Sequence, residues 1–138
     1  MKWEKFTKGV FLVNALGIVY NKKTGKILIG KREKDPYVPE LTWGFPGGRP
    51  KYGEGLELGL KREIKIKTNI DVEVKDIILL RIPEENKEFL LVYYYCEGGG
   101  KEKPGEKFIE VKWIYPKEIK KYFATSVDKQ VLDFLNKI

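Results

Sequence analysis

Pro46-Gly47-Gly48-Arg49-Pro50-Lys51-Tyr52-Gly53-Glu54, then Arg62-Glu63-Ile64-Lys65-Ile66-Lys67 and finally Asn69-Ile70, is the stretch that decides how the chain folds. Gly47, Gly48 and Gly53 are turn residues, able to take positive φ or to let two backbones approach closely. From Gly55 to Thr68 the apolar residues Leu56, Leu60 and Ile64 recur at every fourth position, which predicts a helix over 55–68 with one buried face. Glu54 stands at the helix start, where a carboxylate interacts favourably with the macrodipole. Asn69 is expected to stop the helix, because Asn tolerates the left-handed conformation that follows a last turn. Positions 63, 66 and 67 share one helical face, and Glu63 precedes Lys67 in the order that pairs favourably across one turn.

Working outward from this helix, Val10–Tyr20 and Lys26–Lys31 read as two strands joined by the turn Asn21-Lys22-Lys23-Thr24-Gly25. Pro36 and Pro39 make the stretch from Glu33 to Leu41 a loop, and Thr42–Phe45 is a short strand. Its aromatics, Trp43 and Phe45, read as core residues, with a pocket wall as the alternative. Beyond the helix, Asp71–Ile82 and Phe89–Cys96 are strands, the second a continuous apolar run that belongs in the centre of a sheet. Tyr93, Tyr94 and Tyr95 alternate between its two faces. Glu97–Lys107 contains Gly98-Gly99-Gly100 and reads as a mobile loop. Phe108–Tyr115 is a last strand. Ser126 is placed to cap a final helix whose apolar face carries Val127, Val131, Phe134, Leu135 and Ile138.

A chain of 138 residues has room for a single domain, 1–138, around one sizeable core. With 42% apolar and 34% charged residues it is globular rather than disordered. The lone Cys96 excludes an intramolecular disulfide and a cysteine-rich zinc site, and its apolar neighbours predict a buried thiol. The absence of His removes the commonest general base and metal ligand. Abundant Lys, Glu and Ile with a single Gln resemble the composition of thermophile proteins. The net charge of +7 suits anionic partners, although a Lys-rich proteome raises the charge of all its proteins. Met1–Lys5 is charged, and the early apolar run is interrupted by Asn14 and Gly17 and is shorter than the ~18–20 residues of a membrane span. A cytoplasmic protein with no membrane partner is expected.

Five residues separate Gly48 from Glu54 and seven separate Glu54 from Arg62. This spacing resembles the first two thirds of the Nudix box: Gly, five residues, Glu, seven residues, Arg-Glu-aliphatic, one residue, Glu-Glu, one residue, Gly-aliphatic. Gly48, Glu54, Arg62, Glu63, Ile64 and Ile70 match it, and Trp43-Gly44-Phe45-Pro46-Gly47-Gly48 is similar to the usual lead-in. Ile66-Lys67 stand where the family has Glu-Glu, and Asn69 stands where it has Gly. The resemblance implies an α+β fold, the Nudix α-β-α sandwich built on a mixed β-sheet. It also implies hydrolysis of a nucleoside diphosphate linked to another moiety, such as ADP-ribose, a nucleotide sugar or an NTP, with Mg²⁺ or Mn²⁺ as cofactor.

Carried onto the matching positions, Glu63 becomes a metal ligand or base, and Arg62 orients it with Glu54 as partner. Gly47 and Gly48 bring backbone groups to the phosphates, the Gly48 backbone being a candidate metal ligand. Arg32, at the end of the Ile27–Gly30 strand, corresponds to an arginine that grips substrate phosphate through its guanidinium fork. The alternative for Arg32 is a solvated strand end in the charged run Lys31–Lys34. Arg49 in Gly-Gly-Arg is similar to the GDP-mannose mannosyl hydrolase branch, whose general base is a His that this chain lacks. Glu102 and Glu106 are candidates for a further metal carboxylate from outside the box. Ile66 and Lys67 cannot ligate metal; Lys67 is instead a candidate phosphate contact. A +1 charge about 6 Å from a +2 ion repels it by roughly 1.4 kcal/mol at water's dielectric and about 5.5 kcal/mol at an effective value near 20, so low metal affinity is expected.

Three functions remain open from the sequence: a slow or atypical Nudix hydrolase, a non-catalytic nucleotide-binding domain, and a basic RNA- or protein-binding domain with a vestigial pocket. The Arg62-Glu63 pair and Arg32 favour the first two. In the structural alternative to all three, Glu54, Arg62, Glu63 and Lys67 form only an ion-pair network.

Overall fold

Asn21 and Gly25 close the first hairpin: the Gly25 N–H donates to the Asn21 carbonyl at 2.8 Å, with Gly25 at φ +75°. A computed structural model of the chain describes residues 11–32, 43–84, 87–123 and 127–138. The hairpin joins β1 (Leu12–Asn21) to β2 (Lys26–Arg32), but the two strands pair only beside the turn, at Tyr20–Ile27 and Asn21–Lys26. Beyond that point they splay, and the segment that follows fills the gap. β3 (Trp43–Gly44) pairs antiparallel with β2, while β4 (Gly47–Gly48) pairs antiparallel with β1, opposite Ala15 and Leu16.

The glycines of β4 serve close approach and not positive φ. A Cβ on Gly47 would lie 2.0 Å from the Ala15 carbonyl oxygen, so any side chain there forces β4 off β1. Gly53, by contrast, does use the left-handed region, at φ +79°.

Helix α1 spans Leu56–Thr68, as its apolar spacing predicts. Leu60 and Ile64 are fully buried, and Leu56 packs at the margin of the same cluster. Burying two such side chains contributes about 1.5–3 kcal/mol each. Asn69 ends the helix in the left-handed region at φ 67°, its N–H donating to the Lys65 carbonyl. Glu54 does not cap the helix: the N-cap is Gly55, without a side-chain bond, and the Glu54 carboxylate turns elsewhere.

The chain then runs through β5 (Val72–Arg81), β6 (Phe89–Gly98) and β7 (Phe108–Ile114). β6 lies parallel to β1 along nine residue pairs and antiparallel to β5, which places it inside the sheet as its apolar run predicts. β7 runs antiparallel along β2. The sheet is therefore mixed, and its two faces carry two clusters. Ala15, Val19, Val92, Tyr94 and Cys96 meet α1 on one face. On the other, Ile18, Ile29 and Tyr93 meet Ile119 of α2 (Ile119–Tyr122) and Val131 and Leu135 of α3 (Lys129–Leu135). This is the expected α+β arrangement, an α-β-α sandwich.

Phe45 meets Tyr93 edge-on and Phe123 at a tilt, and Trp43 meets Tyr122 edge-on, so both aromatics pack into the core as expected. The expected cap Ser126 lies outside the described residues; the cap bond of α3 comes from Asp128, which accepts from the Gln130 N–H. Cys96 is buried, and burial pushes its thiol up to about 12. No helix among the described residues is long and apolar enough to cross a membrane.

The Gly-rich stretch after β6 is fastened to α1, contrary to the mobility its composition suggests. Lys103 N–H donates to the Thr68 carbonyl and Gly105 N–H to the Lys67 carbonyl, each at 2.9 Å. The Asn69 side chain and the Trp113 indole N–H hold the carbonyls of Lys101 and Gly100. A Cβ on Gly105 would lie 1.9 Å from the Ile66 carbonyl oxygen, so only glycine allows this contact.

Candidate active site

The loop 49–54 folds back over the start of α1 and delivers Glu54 to the side of Arg62. Arg62 Nε and Nη2 donate to the two Glu54 oxygens at 2.9 Å each, a bidentate fork. The Lys51 N–H adds a third bond to the same carboxylate at 2.8 Å. Together, the Arg62 bond first and the Lys51 N–H second, they hold the Glu54 carboxyl down at about 2. Glu54 in turn raises the Arg62 pKa, with a smaller contribution from Glu63. The remaining Arg62 nitrogen, Nη1, donates to Glu63 Oε2. Arg62 thus fixes the position of Glu63 from below while Glu54 fixes Arg62.

Glu63 lies directly under Gly48. A Cβ on Gly48 would come within 2.2 Å of Glu63 Oε1, so the bare backbone of β4 is what leaves room for this carboxylate. The same Glu63 oxygen faces Lys67, whose Nζ lies 3.2 Å from it. The same ammonium donates a hydrogen bond to the carbonyl of Gly47. Both side chains are mostly covered, Lys67 at 13% exposure and Glu63 at 16%. Burial pushes the Lys67 pKa down, Glu63 draws it back up, and the nearby charges of Arg32 and Lys107 press it down again.

The basic surroundings converge from three elements. Arg32 ends β2 at a bulge, and its guanidinium passes close to Gly44. Lys107 follows the fastened loop and holds the left-handed conformation at φ 64°, which is uncommon for a residue with a side chain. Arg49 is exposed; its carbonyl, and not its side chain, faces the Arg62 guanidinium, at 3.5 Å. Two carboxylates, Glu54 and Glu63, therefore stand among four cations, Arg32, Arg62, Lys67 and Lys107. A separate groove lined by Tyr20, Asn21, Lys22, Lys23 and Glu97 lies at the far end of β1 and includes none of these groups.

A divalent ion does not fit the residues present. Its expected ligands were Glu63 and the Gly48 backbone, with Glu102 or Glu106. The Gly47 carbonyl faces Glu63, and the Lys67 ammonium already occupies the position between them. Both Glu63 oxygens are engaged by cations. Glu102 and Glu106 make no hydrogen bond or ion pair with this cluster, and no group of three or more acidic, His or Cys side chains among the described residues is placed to hold a metal. Ile66, the other altered position, is 39% exposed.

Sequence reasoning brought Glu54, Arg62, Glu63, Lys67, Gly47 and Gly48 to one place, and the structure puts them there. It missed Lys107, whose approach depends on a loop read as free, and the Lys51 N–H, whose role depends on how the loop 49–54 folds back.

Residues 10–135 match the family model described as the NUDIX domain. The chain is 28% identical to an 8-oxo-dGTP diphosphatase of Buchnera aphidicola subsp. Schizaphis graminum over 127 residues, covering 89% of this chain and 92% of the relative. A MutT-like protein of Streptomyces ambofaciens is 27% identical over 124 residues, covering 90% of this chain and 77% of the relative. Among solved structures, a NUDIX hydrolase from Nitrosomonas europaea superposes with a TM-score of 0.77 at 21% identity, over 93% of this chain and 72% of that one. A box motif read from spacing, a sandwich folded around it and a match over nearly the whole length agree: the chain belongs to the Nudix family and is pyrophosphohydrolase-like.

Proposed function

We propose that this chain is a slow, atypical Nudix-type hydrolase acting on a nucleoside diphosphate linked to another moiety, in the class of ADP-ribose, nucleotide sugars or NTPs. The observation that carries the reading is the Glu54–Arg62–Glu63 relay, kept intact under the Gly47-Gly48 strand. A carboxylate offers about four lone-pair sites, so Glu63 has acceptor capacity left after binding Arg62 and Lys67. In this reading it orients a water for attack on phosphorus and takes up its proton, while the bridging P–O bond breaks and its oxygen leaves with the other phosphate-bearing product as an anion. Arg32, Lys67 and Lys107 supply positive charge toward the phosphates, and the Gly47-Gly48 backbone lets the ligand lie close. The relative named as an 8-oxo-dGTP diphosphatase supports a nucleotide substrate. Slow turnover follows from the loss of divalent charge, which in phosphoryl transfer polarises the reacting oxygens.

One observation favours a second reading, a nucleotide-binding domain without catalysis: both Glu63 oxygens are already held by cations. A hydrolysis screen over ADP-ribose, nucleotide sugars, dinucleoside polyphosphates and NTPs separates the two, with products followed by chromatography. Turnover that disappears in Glu63→Gln supports the hydrolase. Ligand binding by calorimetry without any turnover supports the binding domain, and neither binding nor turnover refutes both.

A further inference from the structure

A magnesium ion sits about 2.0–2.1 Å from its oxygen ligands. An ion bound to both the Gly47 carbonyl and Glu63 would compete with Lys67 Nζ, which holds those same two acceptors. The ammonium is anchored as an ion would be, by one backbone carbonyl and one carboxylate, on a side chain that is 13% exposed.

An ammonium carries three donors. Gly47 and Glu63 take two, and the structure gives Lys67 no third protein acceptor among the described residues. Arg32 and Lys107 bear on this same nitrogen from β2 and from the end of the fastened loop. The loop reaches that point because Gly105 packs on the Ile66 carbonyl and its N–H bonds the Lys67 carbonyl. Lys107 keeps its left-handed backbone there. The arrangement leaves one N–H without a protein acceptor among the described residues, in a field that Arg32 and Lys107 make more positive.

We propose that the Lys67 ammonium, held by the Gly47 carbonyl and Glu63, is the resident cation of this site: it binds a phosphoryl oxygen of a diphosphate directly, so that ligand binding requires no divalent metal. This rests on the site taking a diphosphate, as argued above. The inference changes what the cation is, from an exchangeable ion to a side chain carried by α1.

The test is calorimetric titration of the full chain with ADP-ribose and with inorganic pyrophosphate, each in excess EDTA and in excess Mg²⁺. Binding of at least one probe in EDTA, changed less than about twofold by Mg²⁺, is expected. Lys67→Gln, which keeps a polar side chain but loses the charge, should weaken binding at least about tenfold, the lower end for one hydrogen bond to a charged group. Lys67→Arg should recover part of that loss. Lys107→Gly suits the left-handed backbone, so it should fold normally and still bind more weakly. Binding that appears only with Mg²⁺, or that is unaffected by Lys67→Gln in a protein with a normal melting curve, overturns the resident cation and leaves the diphosphate reading standing. No binding of either probe under either condition overturns both.

Discussion

Replacing Ile66 and Lys67 together by Glu would rebuild the acidic face that the Nudix box ordinarily carries. Removing the Lys67 side chain frees the Gly47 carbonyl and one oxygen of Glu63, and adds carboxylates at 66 and 67 on the same face of α1. The protein should lose stability without metal. The Glu63–Lys67 pair is mostly covered, so the loss is near the scale of a hydrogen bond to a charged group, about 1.5–3 kcal/mol, plus a few tenths for the new like-charge pair. Ile66 adds little, being 39% exposed. The gain is in metal affinity. Even if the natural ammonium swung about 6 Å away to admit an ion, it would repel it by roughly 1.4 kcal/mol in water and about 5.5 kcal/mol at an effective dielectric near 20. Those limits correspond to about tenfold and ten-thousandfold in affinity. Titration with Mn²⁺, following the free ion by electron paramagnetic resonance, should therefore show the double variant binding at least about tenfold tighter than the natural protein. With Mn²⁺ at a hundred times its Kd, the variant should regain about 2.7 kcal/mol in a thermal or denaturant melt, while the natural protein should not respond. Equal Mn²⁺ affinity in the two proteins would refute the reasoning, because the lysine would then not be what excludes the ion.

Arg32→Ala should weaken binding of a diphosphate ligand by about 1.5–3 kcal/mol by calorimetry; unchanged binding would make Arg32 surface charge only. Gly47→Ala should cost about 1–3 kcal/mol or more in urea unfolding, because its Cβ meets the Ala15 carbonyl oxygen at 2.0 Å and both groups are backbone-fixed. A stability within about 0.5 kcal/mol of the natural protein would show that β4 does not need glycine there. Glu54 has its pKa depressed in the folded state, so its contribution is fully present above the unfolded value of 4.5 and is lost as pH falls through about 2. The stability gap between the natural protein and Glu54→Gln should accordingly be constant near neutrality and narrow on acidification, in melts from about pH 7 to about pH 2. A gap that does not change with pH would contradict the Arg62 clamp.

What was legible in the sequence was what local spacing encodes. Leu56, Leu60 and Ile64 at four-residue intervals give α1 and its buried face, and Asn69 stops it because one residue's backbone preference suffices. The apolar run Phe89–Cys96 identifies an interior strand because both of its faces are covered. What stayed hidden depends on contacts between distant segments. Nothing near Gly47 reveals that its neighbour is the Ala15 carbonyl, so the sequence leaves positive φ and close approach both open, and the structure shows it is close approach. Lys67 and Gly47 are 20 residues apart, and their contact requires both α1 and the splayed hairpin to be in place. The glycines at 98–100 suggested freedom, yet the loop after them is tied to α1 by hydrogen bonds that its own composition does not announce. Lys107 enters the site only through that tether. In the box itself, the lost Glu-Glu and a lysine that could reach phosphate were visible at once; that this lysine bonds the Gly47 carbonyl as well as Glu63 needed coordinates.

The Lys67 ammonium holds the position between the Gly47 carbonyl and Glu63 where a divalent ion would otherwise lie. Crystals of the natural protein soaked in excess Mn²⁺, with diffraction recorded near the manganese absorption edge, test it most directly. No anomalous peak is expected within coordinating distance of the Gly47 carbonyl and the Glu63 carboxylate, with Lys67 Nζ still bonded to both. An anomalous peak at that position, with the Lys67 side chain turned away, would contradict it.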